Sequence, residues 1–210
     1  MGAGRRKERK IKMAGEECME MGFDGIKLMN IDLLGLSQIY LNQNKITSIM
    51  EWFHPPCMDN FQPLSVHDFG NNAYTITDGH TRAYVAYQSG ISYLPVQYDN
   101  SDLVVGEVGQ ILYKADIEWC KRFQLSHIKQ LENRILDNSS YQKLWIGRCD
   151  RSYDLLMNTS YSERVSLQKI APNLFLYGAT EDLSTLYFEN EAGELFVYKN
   201  NIILPEKAVF

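Results

Sequence analysis

The sequence predicts a mixed α/β fold. An α/β domain spans about residues 29–103, a helical region 104–158 and a small antiparallel β-meander 159–210, after a basic tail at 1–28. Three observations carry this. The first half alternates short β-type runs with helix-period segments, the pattern of a sheet covered by helices. The middle places apolar residues at helical spacing. The end switches to aromatic-rich alternation broken by turn residues.

Taken in order, "IKLMNIDLL" (26–34) reads as the first strand, and "NQNKITSIMEWF" (42–53) sets Ile46, Ile49, Met50 and Phe53 on one helical face. "HPPC" ends that helix, because successive prolines cannot continue it. "PLSVHDF" (63–69), the turn "GNN" (70–72) and "AYTIT" (73–77) read as a hairpin. A helix over 80–89 follows, with Ala83, Tyr84, Val85, Ala86 and Tyr87, and Gly90 suits its left-handed C-terminal cap. "YLPVQYD" (93–99) returns as a strand, with Pro95 expected near a sheet edge. "GEVGQI" (106–111) reads as a loop, and 114–136 as helical through Ile117, Cys120, Phe123, Ile128, Leu131 and Ile135. Ser126 is the expected cap of a second helix after a break at Gln124–Leu125. Residues 141–157 read as a helix interrupted by Gly147. "NLFLYG" (173–178), "STLYFEN" (184–190) and "ELFVYKN" (194–200) read as strands, the last two joined by a hairpin with Gly193 at a positive φ.

Charge narrows the partners. The chain carries −5 overall, but residues 1–12 hold Arg5, Arg6, Lys7, Arg9, Lys10 and Lys12 against Glu8, a balance of +5 that leaves −10 on the rest. So acidic a body argues against generic binding of nucleic-acid backbone. Met1, Met13, Met19, Met21 and Met29 crowd this region, so the native start is expected anywhere within it. No stretch reaches the roughly 20 apolar residues of a membrane span, and the basic tail has no apolar block behind it. Cys18, Cys57, Cys120 and Cys149 are widely spaced, as expected of reduced thiols in a cytoplasmic protein. No metal site is expected: His54, Cys57 and His67 match no zinc spacing. Asn42 and Lys45 fit a ligand cleft or an ordinary helix start, and Trp52, Trp119 and Trp145 fit packing. Ser-rich 160–166 lacks a nucleophile elbow.

The chemistry concentrates in "TITDGHTRAYVA" (75–86), where a strand hands over to a helix. Gly79 permits a tight bend. The first helical N–H groups, at His80, Thr81 and Arg82, have no intrahelical acceptors and lie at the positive end of the helix dipole, a ready anion site. Arg82 opposes its own helix dipole, which makes sense if it grips an anion. Two readings stand at this point: Asp78 caps the helix and pairs with Arg82, or the turn cradles a phosphate.

The order strand, helix, "QPLSV" strand, "AYTITDG" strand, "HTRAYVAYQSG" helix, "YLPV" strand resembles the ParB/sulfiredoxin superfamily over about residues 29–100. Pro63 and Val66, Tyr74–Thr77, the Asp78–Arg82 turn and Ala83/Ala86 carry the likeness. It implies a ParB/sulfiredoxin-like mixed sheet and a nucleotide (ATP, ADP or CTP with Mg²⁺) whose phosphates rest on Gly79, His80, Thr81 and Arg82. "DGHTR" is similar to the Asp-Gly-His-His-Arg type motif of free-serine kinases, which implies phosphotransfer with a carboxylate base, Glu51 or Asp78, and with His80 stabilising transferred charge. There are departures. The reactive Cys of sulfiredoxin is replaced by His80, and the stretch before the first helix lacks the arginine of ParB's second phosphate motif. The expected function is a nucleotide-dependent phosphotransferase or nucleotide hydrolase. The alternative is a non-catalytic anion-sensing module that meets a protein partner through its C-terminal half.

Overall fold

The computed structural model describes residues 25–70, 73–157, 175–179, 185–190, 194–200 and 202–205. Strand β1 (Ile26–Asn30) leads through a short 3-10 turn to the two-residue β2 (Leu41–Asn42) and helix α1 (Gln43–Trp52). Then come β3 (Leu64–Asp68), β4 (Tyr74–Asp78), α2 (His80–Gln88) and β5 (Tyr93–Tyr98). The sheet order is β1-β5-β3-β4, with β3 and β5 parallel and the other pairs antiparallel.

The local chemistry explains the boundaries. Asn42 starts α1 by accepting the N–H groups of Asn44 and Lys45. Asn42 is thus a buried cap. Gly70 turns the β3–β4 hairpin at φ +94°, and Gly90 ends α2 at φ +78°. Leu64, Ile76, Ala83, Ala86 and Leu94 are completely buried where α2 meets the sheet. Each large aliphatic side chain there contributes about 1.5–3 kcal/mol, and the small Ala83 and Ala86 belong to the same core. That packing fixes the start of α2 against the end of β4.

The helical region contains α3 (Asp102–Val105), α4 (Glu107–Arg122), a 3-10 segment (Ile128–Arg134), β6 (Ile135–Leu136), α5 (Asn138–Tyr141), a π-turn (Gln142–Ile146) and α6 (Gly147–Met157). It shares one core with the sheet domain through Cys120, Leu125, Ile128, Leu131, Tyr141 and Trp145. Strands β7 (Phe175–Ala179), β8 (Thr185–Glu189), β9 (Leu195–Lys199) and β10 (Ile202–Pro205) form a consecutive antiparallel meander, with Phe188 and Val197 buried. No helix among the described residues is long and apolar enough to cross a membrane.

Several expectations need correction. Residues 106–111 are not a loop: α4 begins at Glu107, and Gly109 sits inside it where any Cβ would strike the Leu103 carbonyl oxygen. That glycine marks close packing of α3 on α4. Pro95 lies in a central strand, yet the parallel pairing with β3 covers only Val96–Tyr98, so the missing N–H removes no bond from it. His127, not Ser126, caps the segment after the break, accepting the Lys129 N–H at 3.0 Å while Gln130 reaches back. The break itself stands, with Gln124 at φ +58°. Gly147 is helical, and the irregularity is the π-turn before it. Residues 26–30 form β1, inside the stretch 26–34 read as the first strand, so that strand begins ahead of the sheet domain's expected start at 29. Strands β6 and β10 and helix α3 carry no clear pattern in the sequence and emerge only in the structure. Residues 1–24, Asn71, Asn72, the 160–166 stretch and Gly193 lie outside the described residues.

Candidate functional site

The end of β4 and the start of α2 are joined by Gly79 alone, at φ +102° and ψ 15°. An added Cβ there would lie 2.7 Å from Leu64 Cδ2 and 2.8 Å from Arg82 Nη2. Both the backbone angle and the space therefore demand glycine. Gly79 is the N-cap, and no side chain caps the helix. The first intrahelical bond runs from the Ala83 N–H to the Gly79 carbonyl at 2.9 Å. Asp78 is thus not the cap. It makes the other half of the capping reading instead: its Oδ2 accepts from Arg82 Nη2 at 3.0 Å.

Arg82 folds back over the bend. The same Nη2 also lies 3.4 Å from the Pro63 carbonyl oxygen, while the buried Nε has no hydrogen-bond partner. A guanidinium N–H held out of water without an acceptor costs about 1–3 kcal/mol. The Asp78 side chain is 73% exposed and that of Arg82 only 19%. The arginine is built in, and the aspartate that holds it is at the surface.

His80 turns inward. Its Nε2 accepts the Ser37 N–H at 3.2 Å, and Ser37 Oγ donates to the Ile76 carbonyl at 2.7 Å. Burial pushes its pKa down to about 3, against a weaker upward pull from Asp78. The ring is therefore neutral and committed to pinning the 35–39 segment to α2. The charge-stabilising role expected of the His80 side chain does not fit this placement, so its contribution to an anion site reduces to its backbone N–H. The Thr81 side chain is also buried.

Glu51, the other expected base, is exposed on the last turn of α1, and among the described residues no hydrogen bond or ion pair joins it to the Gly79 turn. The structure therefore brings together Asp78, Gly79, His80, Thr81 and Arg82 and leaves Glu51 unconnected to them. Lys45 is exposed and lies over the Tyr141 ring.

Neighbours that no sequence signal singles out frame the turn. Thr77 Oγ1 donates to Asp99 Oδ2 at 2.8 Å, and Tyr113 Oη donates to the Thr77 carbonyl at 3.4 Å. Burial opposes ionisation of Asp99, but hydrogen bonds from Ser101 and Thr77 and the nearby His67 outweigh it and hold the carboxyl below its ordinary range. Burial, reinforced by Asp99, Asp116, Asp78 and Cys149, pushes the Tyr113 phenol up to about 12. It is thus a permanent donor beside the carboxylates. No periodicity signals these partners, because they come from the residue after β5 and from α4, distant in sequence. His67 is likewise internal, with Nδ1 donating to the Asp99 carbonyl at 2.8 Å and Nε2 accepting from Gln110. Among the described residues no group of three or more His, Cys, Asp or Glu is arranged to hold a metal ion. Cys57, Cys120 and Cys149 are free thiols.

No family model matches the chain, and no curated protein matches it.

Proposed function

We propose that the protein binds a phosphate-bearing small molecule at the Gly79–Arg82 turn. One observation carries this: the start of α2 has no side-chain cap, and a largely buried arginine with an unpartnered Nε lies directly against it. Helix-start amides and a guanidinium together match phosphate oxygens in charge and in geometry. The ligand displaces Asp78 from Arg82 on entry, since both compete for one guanidinium. The resemblance of "DGHTR" to the ParB/sulfiredoxin superfamily supports ATP, ADP or CTP as the ligand. Mg²⁺ then arrives on the nucleotide phosphates, with Asp78 the adjacent carboxylate able to share it.

The binding reading is favoured over phosphotransfer. His80 has its ring buried and occupied, and Glu51 has no link to the turn. Catalysis as a phosphotransferase or nucleotide hydrolase rests on Asp78 alone, whose exposed carboxylate is the one base at the bend. A protein partner on the C-terminal half completes the sensing reading.

Thermal shift with phosphate, ATP, ADP and CTP, with and without Mg²⁺, tests it. The parent is expected to be stabilised by at least one of these, and Arg82→Ala to lose the shift. An R82A protein that responds as well as the parent removes the proposal. Release of inorganic phosphate from the stabilising nucleotide separates an enzyme from a sensor.

A further inference from the structure

A cavity that shares no lining residue with the Gly79 turn lies where the Gly35 segment, β4 and the C-terminal end of α4 meet. It is open, with a volume of about 540 Å³. That volume falls in the range of small-molecule sites, about 300–1,000 Å³. Leu36, Ile117, Cys120 and Leu125 supply an apolar wall, and all four are buried. Burial pushes the Cys120 thiol up to about 12, so its sulfur is a neutral part of that wall. Among the described residues Lys121 is the only charged member of the lining, and it is exposed and paired with Glu118 at 3.6 Å.

One polar group faces this wall without a partner. Thr75 lines the cavity and is 1% exposed, and among the described residues no hydrogen bond engages its hydroxyl. Its Oγ1 is directed at Gly35, another lining residue, where an added Cβ would lie 3.1 Å away. Gly35 is held there by β4: its N–H donates to the Tyr74 carbonyl at 2.8 Å, and its carbonyl accepts the Ile76 N–H at 3.0 Å. Ser126 and Gln130, also in the lining, are committed to each other, with Gln130 Oε1 accepting the Ser126 N–H at 2.7 Å. What the cavity offers a ligand is one hydroxyl beside an apolar, uncharged wall.

We propose that this cavity binds a small neutral molecule made of an apolar ring and one hydroxyl, the hydroxyl on Thr75 Oγ1 and the ring against Leu36, Ile117 and Leu125. A threonine hydroxyl donates and accepts, so it matches a group that does both. Shielded from bulk water, it gains more from a partner than a solvated hydroxyl does. Neutrality follows from the wall. An anion would give up its water here and find its one nearby cation already paired with Glu118, and a cation would find no carboxylate in the lining among the described residues.

The competing reading is that the cavity holds only water against Thr75. Phenol and toluene, which differ by a hydroxyl in place of a methyl, decide between them by amide-resolved NMR titration of the full chain. Phenol is expected to shift the amides of Gly35, Leu36 and Cys120 with a Kd near about 1 mM, as befits a fragment of this size. Toluene is expected to bind at least about threefold more weakly, although it is the more apolar of the two. Thr75→Val keeps the shape of the side chain and removes the oxygen. It is expected to weaken phenol about fivefold, to leave toluene no weaker, and to leave the phosphate response of the Gly79 turn unchanged. The proposal is overturned if neither probe moves the lining amides, if phenol shifts residues scattered over the surface, if toluene binds the parent as tightly as phenol, or if T75V binds phenol as the parent does. Should T75V fail to fold, the comparison of the two probes on the parent decides the matter alone.

Discussion

Two arginine–aspartate pairs of nearly equal length hold this molecule together in opposite surroundings. Arg148 and Asp116 meet at 2.8 Å between α6 and α4, with side chains 4% and 12% exposed. Arg82 and Asp78 meet at 3.0 Å across one turn, but the aspartate is 73% exposed. Arg148 also stacks on Trp145 at 4.4 Å. Burial raises the Asp116 carboxyl above its usual range even though Arg148 pulls it down. The buried pair is an internal tie shut away from water. The surface pair is a latch, because water or an incoming anion can replace Asp78 at little cost. The same bond therefore serves structure in one place and exchange in the other.

The largest expected effect breaks the tie. Arg148→Met leaves Asp116 buried without its cation and is expected to cost about 3–5 kcal/mol in urea unfolding. Replacing both residues, as Asp116→Leu with Arg148→Met, is expected to recover most of that loss. If the double variant is no better than the single one, the pair is not an isolated tie but part of a larger network.

His80 sharpens the comparison, since it sits beside the latch yet behaves like the tie. Its folded pKa of about 3 lies below the ordinary 6.5. The unfolded chain therefore binds the proton first, and the stability this imidazole provides is complete above about pH 6.5 and drains away as pH falls toward 3. Asp116 acts with the opposite sign, because its raised carboxyl takes up a proton earlier in the folded state. The clean measure is the difference between the parent and His80→Gln. The parent's advantage is expected to shrink by about 2–3 kcal/mol between pH 7 and pH 4.5. An advantage that does not change with pH would mean the ring is not held neutral by burial.

Gly79→Ala tests the bend between the two. Alanine at φ +102° is strained, and its Cβ would press on Leu64 and Arg82. The expected cost is about 1–3 kcal/mol, together with loss of the phosphate-induced shift. An alanine variant as stable as the parent would mean that the bend is not sterically fixed.

Much of the strand–turn–helix unit is legible in the sequence because its signals are local. Gly70, Gly79 and Gly90 sit at positive φ where the turns require it, and Asn42 caps α1 through its own neighbours. The failures are long-range. Residues 106–111 look like a loop by composition, but α3 packing on Gly109 makes them helix. His80 reads as a polar site residue until Ser37, forty-three positions away, claims its ring nitrogen. Asp116 and Arg148 lie thirty-two positions apart with no spacing that links them, and only the meeting of α4 and α6 pairs and buries them. The turn's residue types are thus visible in the sequence, while which side chains it presents outward is not.

The smallest effect on stability is also the sharpest test of the latch. Asp78→Asn removes one charge of a partly exposed pair, so unfolding is expected to shift by less than about 1 kcal/mol. Binding should move the other way. Asp78 competes with an incoming phosphate for Arg82 and repels it, so the neutral amide is expected to tighten phosphate binding several-fold, most clearly at low salt. If Asp78 instead acts as a base, D78N will leave nucleotide affinity near that of the parent and abolish turnover. Weaker phosphate binding in D78N would argue against both roles, and would mean that the aspartate is needed to hold Arg82 in position over Gly79.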